Sequence, residues 1–344
     1  MDPVPAPDDD RPDLAHQHRS TQDRAPRRPG QATPGAFSPW RPFHRRDGLA
    51  AGLTKHRLDG SSFTNLFGSI RLAASVPLTP QLLARAATMV VQDAAVSHHT
   101  AAVLWGAIVP ETPHTHVSVR VDRDRRRREG LRCHVSPCRV TTTHQGLPVT
   151  TPAQTFLDLV HHLGLVDLVI LGDSLVHAGV ATEAELIRAA GSVTGRGGAL
   201  AREAAQLVRA GSQSPMETRV RLMFRFAGLP EPTTQLRVGD ADRTYYLDLA
   251  WPELKVAAEY DGRQHAESPR QWGHDLGRRE WLDGNGWRLV VLRAPDVYDE
   301  PWATILRVQH VLATRGYESS WRSPPALFTE HFPGRPWRQR RGAG

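Results

Sequence analysis

The chain has 344 residues, 40% of them hydrophobic, and a formal net charge of +7. That is apolar material enough for a sizeable core in about two or three domains. Cys133 and Cys138 are too few for a disulfide framework, no apolar run reaches membrane-spanning length, and the N-terminus lacks a basic-then-apolar signal pattern. The expectation is a cytoplasmic protein with no membrane partner and no small-molecule cofactor. Lys55 and Lys255 are the only lysines, so arginine carries the positive charge. Two accounts of this stand: a polyanionic partner gripped by guanidinium forks, or a GC-rich genome that favours arginine codons.

In chain order, residues 1–37 are rich in Pro, Asp, Arg and Gln and read as a disordered tail. Residues 43–51 read as a short helix. Thr54 caps a second helix over 55–58, and residues 63–73 alternate like a hairpin. Helix, turn, helix and wing within 38–75 suggest a small winged helix-turn-helix. A middle α/β domain follows over 76–190. It begins with an amphipathic helix at 78–93, then a strand at 95–97 and a helix at 98–106.

Strands are expected at 116–121 and 131–135, joined by DRDRRRREG. Arg123–Arg128 in that joint form either a solvated hairpin turn or a phosphate clamp. CHVSPC lacks a second ligand pair at zinc-finger spacing and reads as strand and turn. His98-His99 has metal-ligand or base chemistry, but no acidic partner lies nearby in sequence, which favours a structural role. A strand at 147–150 and helices at 152–162, 166–178 and 183–190 complete the domain, the last with the capping box Thr182 and Glu185. Gly191–Gly198 reads as a flexible boundary opening a linker and helix over 191–213, the helix spanning 199–209.

From Ser214-Pro215 the pattern predicts a helix over 216–228 with Glu217 in its first turn, and strands at 234–238, 243–250 and 254–260. A helix at 269–283, a nearly all-apolar strand at 287–293 and a helix at 301–314 follow. The order αβββαβα makes a mixed sheet flanked by helices over 214–318, with a second tail at 319–344. Glu259 and Asp261 are two apart on one strand and share a face. A turn through Trp251–Leu254 brings Asp248 beside them. Three clustered carboxylates repel unless a cation or base offsets them, which makes the patch a natural magnesium site. The plainer alternative is a hairpin whose acidic ends pair with Arg278 and Arg279.

The motifs SPMETRVR, LDLAWPE, VAAEYDGRQH and DLGRREWLDGNGWRLVVLR, in this order, resemble the Vsr-like nucleases. These are relatives of very-short-patch repair endonucleases within the PD-(D/E)xK restriction-endonuclease superfamily. The resemblance implies phosphodiester hydrolysis with Mg²⁺ or Mn²⁺. Asp248 would be the metal-binding aspartate and Glu259 the second carboxylate. Asp261 stands where the superfamily usually has lysine, a departure common among Vsr-like members. His265 would be the base that activates water, Glu217 an outer ligand, and Arg278 the group that offsets charge. Arg57, Arg263 and Arg279 are the expected nucleic-acid contacts. More faintly, DGLAAGLTKHRLDG, SHHTAAVLWG and LPVTTPAQTFLDLV are similar to AbiEi-type antitoxins and their transcriptional-regulator relatives. That implies DNA contact, a possible cognate toxin partner, and an alternative role as a regulator with an inactive nuclease-like domain.

Overall fold

The computed structural model describes residues 37–262, 269–318 and 323–335. Residues 1–36 lie outside them, as do Arg263 and His265; of the tail expected at 319–344, residues 323–335 are described and contain a helix over Ala326–His331. Three mixed or antiparallel sheets and thirteen helices are seen among the described residues, and the protein is mixed α/β. No described helix is long and apolar enough to cross a membrane.

The first region is small. Strand β1 (Phe43–His44) leads into α1 (Arg45–Ala50), α2 (Lys55–Asp59) and the hairpin β2 (Phe63–Leu66) and β3 (Ile70–Ala73). The helix expected over 43–51 thus starts two residues late, because Phe43 and His44 pair with Arg71 and Ile70 instead. Thr54 caps α2 as expected, its hydroxyl accepting from the Arg57 N–H. Arg71 is buried and holds the unit together: its guanidinium donates to the Leu58 carbonyl, Asn65 and Asp59. A buried guanidinium is tolerated only when its donors are met this way.

The middle region runs α3 (Pro80–Val90), β4 (Ala95–Val96), α4 (His98–Leu104), β5 (Thr115–Val119), β6 (Leu131–Val135), β7 (Thr141–His144), β8 (Leu147–Thr150), α5 (Pro152–Asp158), α6 (Leu165–His177), α7 (Glu183–Gly191) and α8 (Gly198–Leu207). Its five-stranded sheet has the order β6-β5-β4-β8-β7. One expectation fails here: β5 and β6 are parallel, not a hairpin, so the arginine-rich segment between them is a crossover rather than a turn. Strand β7 was not expected; it pairs antiparallel with β8. The Thr182–Glu185 capping box forms as the sequence predicts. Helices α7 and α8, on either side of Gly191–Gly198, pack on one another. Gly172 of α6 lets the chain after α8 come close: a Cβ there would lie 2.3 Å from Val208 Cγ2.

The last region runs α9 (Pro215–Phe226), β9 (Thr233–Gly239), β10 (Thr244–Trp251), β11 (Val256–Tyr260), α10 (Pro269–Gly284), β12 (Arg288–Leu292), α11 (Ala294–Tyr298), α12 (Pro301–Ala313) and α13 (Ala326–His331). The order αβββαβα is as read from the sequence, while α11 and α13 were not foreseen. Sheet order is β12-β11-β10-β9, with only β11 and β12 parallel. Strand β12 is an edge and partly exposed, so its apolar sequence does not reflect burial on both faces. Arg335, placed in a solvated tail by its sequence, pairs with Asp299 at 2.9 Å.

One apolar cluster joins Phe156, Leu168 and Leu175 to Val220, Phe224, Leu249, Val256 and Ile305, so middle and last regions share a core. A polar lock sits inside it. Asp173 of α6 accepts from Arg221 at 2.9 Å, from the Thr218 hydroxyl at 2.8 Å and from the Arg209 N–H at 2.8 Å. Arg221 is 0% and Asp173 2% exposed. This lock fixes the face of α9, and with it the position of Glu217.

Candidate functional site

Helix α9 starts where Ser214 accepts a hydrogen bond from the Glu217 N–H at 3.2 Å and Pro215 occupies the first turn. Glu217 answers by accepting from the Gln213 N–H at 2.9 Å. The capping role is therefore real. Yet the side chain also reaches the sheet: Gln235 Nε2 donates to Glu217 Oε2 and to Asp248 Oδ1, both at 3.2 Å. Gln235 lies across β9 from Asp248 in a left-handed backbone conformation, φ +48°. A non-glycine residue held there inside a strand costs about 1 kcal/mol or more and persists only when its surroundings fix it.

Leu249 is paired with Ala258, which puts Asp248 and Glu259 opposite each other on β10 and β11. Cross-strand side chains on one face are about 5 Å apart at Cβ. Glu259 does not stand alone. Arg278 of α10 forks onto it, with Nη1 donating to Oε2 at 2.9 Å and Nη2 to Oε1, and Nη2 also donates to the Tyr246 carbonyl at 3.1 Å. Asp261 is half-buried just past β11, where its N–H bonds the Leu292 carbonyl and prolongs the β11–β12 pairing. Lys255 sits at the other end of β11, its ammonium on the Asn285 carbonyl at 3.0 Å, so it cannot stand in for the missing lysine.

Charge is unbalanced here. Among the described residues, Glu217, Asp248 and Glu259 face one guanidinium, that of Arg278. Burial, followed by the charges of Glu217 and Glu259, pushes the Asp248 carboxyl up to about 6, against the opposing pull of Gln235 and Arg278. The donor set is all oxygen, which suits a hard divalent cation such as Mg²⁺ or Mn²⁺. Asp248 accepts only from Gln235 among the described residues and keeps an oxygen for a cation. Glu259 reaches a shared ion only if Arg278 releases it.

Of the predicted residues, Glu217, Asp248, Glu259 and Arg278 come together. Asp261 is adjacent by chain. Arg279 is exposed on α10, and Arg57 is exposed on α2. His265 and Arg263 lie outside the described residues. Gln235 was missed; its only sequence signal is its position opposite Asp248, visible once the register is known.

Arg125–Arg128 line an open groove of about 690 Å³ with His114 and Cys133. The Arg128 side chain lies against Gly68 in the β2–β3 turn, so the basic crossover and the small hairpin adjoin. A second polar cluster was also missed. His98, His116, His134 and His162 stack at the junction of α4, β5 and β6, with Asp158 behind them.

The molecule is thus a mixed α/β protein with a carboxylate notch at the β10–β11 junction. Two uncharacterized proteins of Mycobacterium tuberculosis, from strains CDC 1551 and H37Rv, are each 28% identical to it over 239 residues. The alignment covers 67% of this chain and 86% of each relative. No family model matches the chain.

Proposed function

We propose that the protein is a metal-dependent DNA endonuclease that hydrolyses phosphodiester bonds, acting in the cytoplasm in repair, defence or a mobile element. One observation carries the reading: Glu217, Asp248 and Glu259 converge from three elements onto one notch where, among the described residues, Arg278 is the arginine that binds Glu259. The αβββαβα order of the last region is compatible with a restriction-endonuclease-like fold. Asp248 and Glu217 would hold Mg²⁺, with Glu259 completing the set. The ion, when bound, supplies Lewis-acid polarisation of the phosphate and a hydroxide near neutral pH.

The residues of the chain do the rest. Gln235 holds Glu217 and Asp248 at a fixed spacing. Arg278 restrains Glu259 until a phosphate competes for the guanidinium, and then clamps that phosphate, since forked donors suit both oxyanions. His265 is the proposed water-activating base, and Asp261 aids by orienting it. DNA would lie along the exposed arginines: Arg57 by the winged-helix-like hairpin, the Arg123–Arg128 crossover and Arg279 on α10, with Arg263 as a further expected contact.

The second reading is an AbiEi-like regulator or antitoxin, bound to DNA and to a cognate toxin, with an inactive notch. It is favoured by the Arg278 fork on Glu259 and by Asp261 in the usual place of lysine. Plasmid nicking in Mg²⁺ separates the two. The nuclease reading requires nicking by the wild type that Asp248→Ala removes. DNA retardation without nicking, equal in both proteins, leaves the regulator.

A further inference from the structure

The carboxylate notch is not the place where donor atoms crowd most closely. One ring nitrogen from each of His98, His134 and His162 lies within 4.8 Å of the others, the only such triplet of His, Cys, Asp or Glu among the described residues. The three come from separate elements: the start of α4, strand β6, and the turn after α5. We propose that they form a transition-metal site, with Zn²⁺ as the cation, lying in the middle sheet and independent of the nuclease reading.

The local structure is arranged for it. The Ser97 N–H bonds the His116 carbonyl and carries the β4–β5 pairing one residue further, and the chain then turns sharply at His98 with φ +52°. That strained corner aims the imidazole at β6 instead of along the helix. His98 stacks on His134 with centroids 3.6 Å apart, and His162 meets His98 edge-on at 5.0 Å. Imidazole nitrogen without thiolate suits zinc and its neighbours in the first transition row.

The buried His98 and the half-buried His134 each have a polar partner on one ring nitrogen. His98 Nδ1 is 3.0 Å from Ser97 Oγ and 3.9 Å from Asp158 Oδ2. Asp158 is 6% exposed, and its Oδ2 has no hydrogen bond. His134 Nε2 is 3.0 Å from His116 Nδ1, and His116 Nε2 is 3.4 Å from Thr112 Oγ1. Metal-binding histidines characteristically give their second N–H to such partners, which sets the tautomer. Here that leaves Nε2 of His98 and Nδ1 of His134 for the ion.

His162 is exposed, which gives the ion a way in and leaves a fourth position to water. Nearly parallel rings direct their lone pairs side by side. Binding therefore requires His134 to tilt out of the stack until each nitrogen is about 2.0–2.1 Å from zinc.

The test uses the full-length chain, free of any histidine tag and stripped with chelator. Zn²⁺ affinity is read by competition with a chromogenic chelator, and Co²⁺ by its visible absorption. One equivalent of Zn²⁺ and a four-coordinate Co²⁺ spectrum are expected. His162→Ala and His134→Gln should each weaken binding by at least the ~100-fold that loss of an outer partner alone can cost, and Asp158→Asn by roughly 10-fold or more. His56→Ala, on exposed α2, should change nothing. His162 is exposed, so its variant keeps the test decisive if His134→Gln does not fold. Less than a tenth of an equivalent bound by the wild type, or undiminished binding by His162→Ala, overturns the site. Plasmid nicking plays no part in this readout, so either idea can fail alone.

Discussion

The carboxylate notch and the histidine stack solve opposite problems. The notch gathers groups of one charge, so its unoffset partners repel, and Gln235 and Arg278 hold them in place. The stack gathers neutral rings that pack like any aromatic group and need no counter-ion. An acidic cluster is therefore stable only with something bound or some carboxyl protonated, whereas a histidine cluster rests comfortably until a metal arrives. Function of the first kind leaves an electrostatic trace in the folded protein; the second leaves a geometric one.

The largest effect that would break this contrast is on catalysis. Asp248→Ala should lower Mg²⁺-dependent nicking by roughly 10³-fold, the equivalent of the several kcal/mol a positioned cation contributes. The stack should be untouched, seen as unchanged Zn²⁺ affinity. Next comes Asp173→Ala, which leaves the buried Arg221 with Glu231 alone, at 3.3 Å, in place of two carboxylates and should cost about 3 kcal/mol in urea unfolding. Since Asp173 and Arg221 tie α6 to α9, both regions should lose stability in a single transition.

Third is Asp248→Asn. The folded carboxyl titrates near 6 and the unfolded one near 3.8. Between those values the native state keeps a proton the unfolded chain has lost, so stability falls as pH rises through that window. The penalty above pH 6 is about 2–3 kcal/mol. Asparagine still accepts from Gln235, so the variant should be about 2 kcal/mol more stable at pH 7 while inactive. The wild-type-minus-variant difference should vanish below pH 4. Smallest is Arg127→Ala in the exposed crossover, which should reduce the salt slope of DNA binding by about 1 without altering either cluster.

Much of the frame was legible because its signals are local. Thr54, Thr182 with Glu185 and Ser214-Pro215 mark helix starts that bond as their chemistry dictates. The turn through Trp251–Leu254 that returns Asp248 to Glu259 follows from two adjacent apolar runs with a short break between them. What escaped depends on pairing across distance. Parallel β5 and β6 look like a hairpin in sequence, because a charged loop carries no mark of crossover. His98, His116, His134 and His162 are scattered over 65 positions, 98 to 162; the parallel register brings His116 beside His134, and the packing of α4 and the turn after α5 adds the other two. His98-His99 seemed to lack an acid because Asp158 arrives from the end of α5. The fork of Arg278 on Glu259 likewise needs the fold, since sequence offered Arg279 equally.

The lock between Asp173 and Arg221 has a consequence for anyone wishing to cut the molecule apart. A fragment beginning at Ser214 would carry the notch but surrender the nearer of the two carboxylates on its innermost guanidinium, keeping only Glu231, and lay bare the flank of α9 that Phe156, Leu168 and Leu175 now cover. Such an excised piece should be sticky and poorly folded, however complete its chemistry looks on paper. The front of the chain acts, in this respect, as a built-in chaperone for the back.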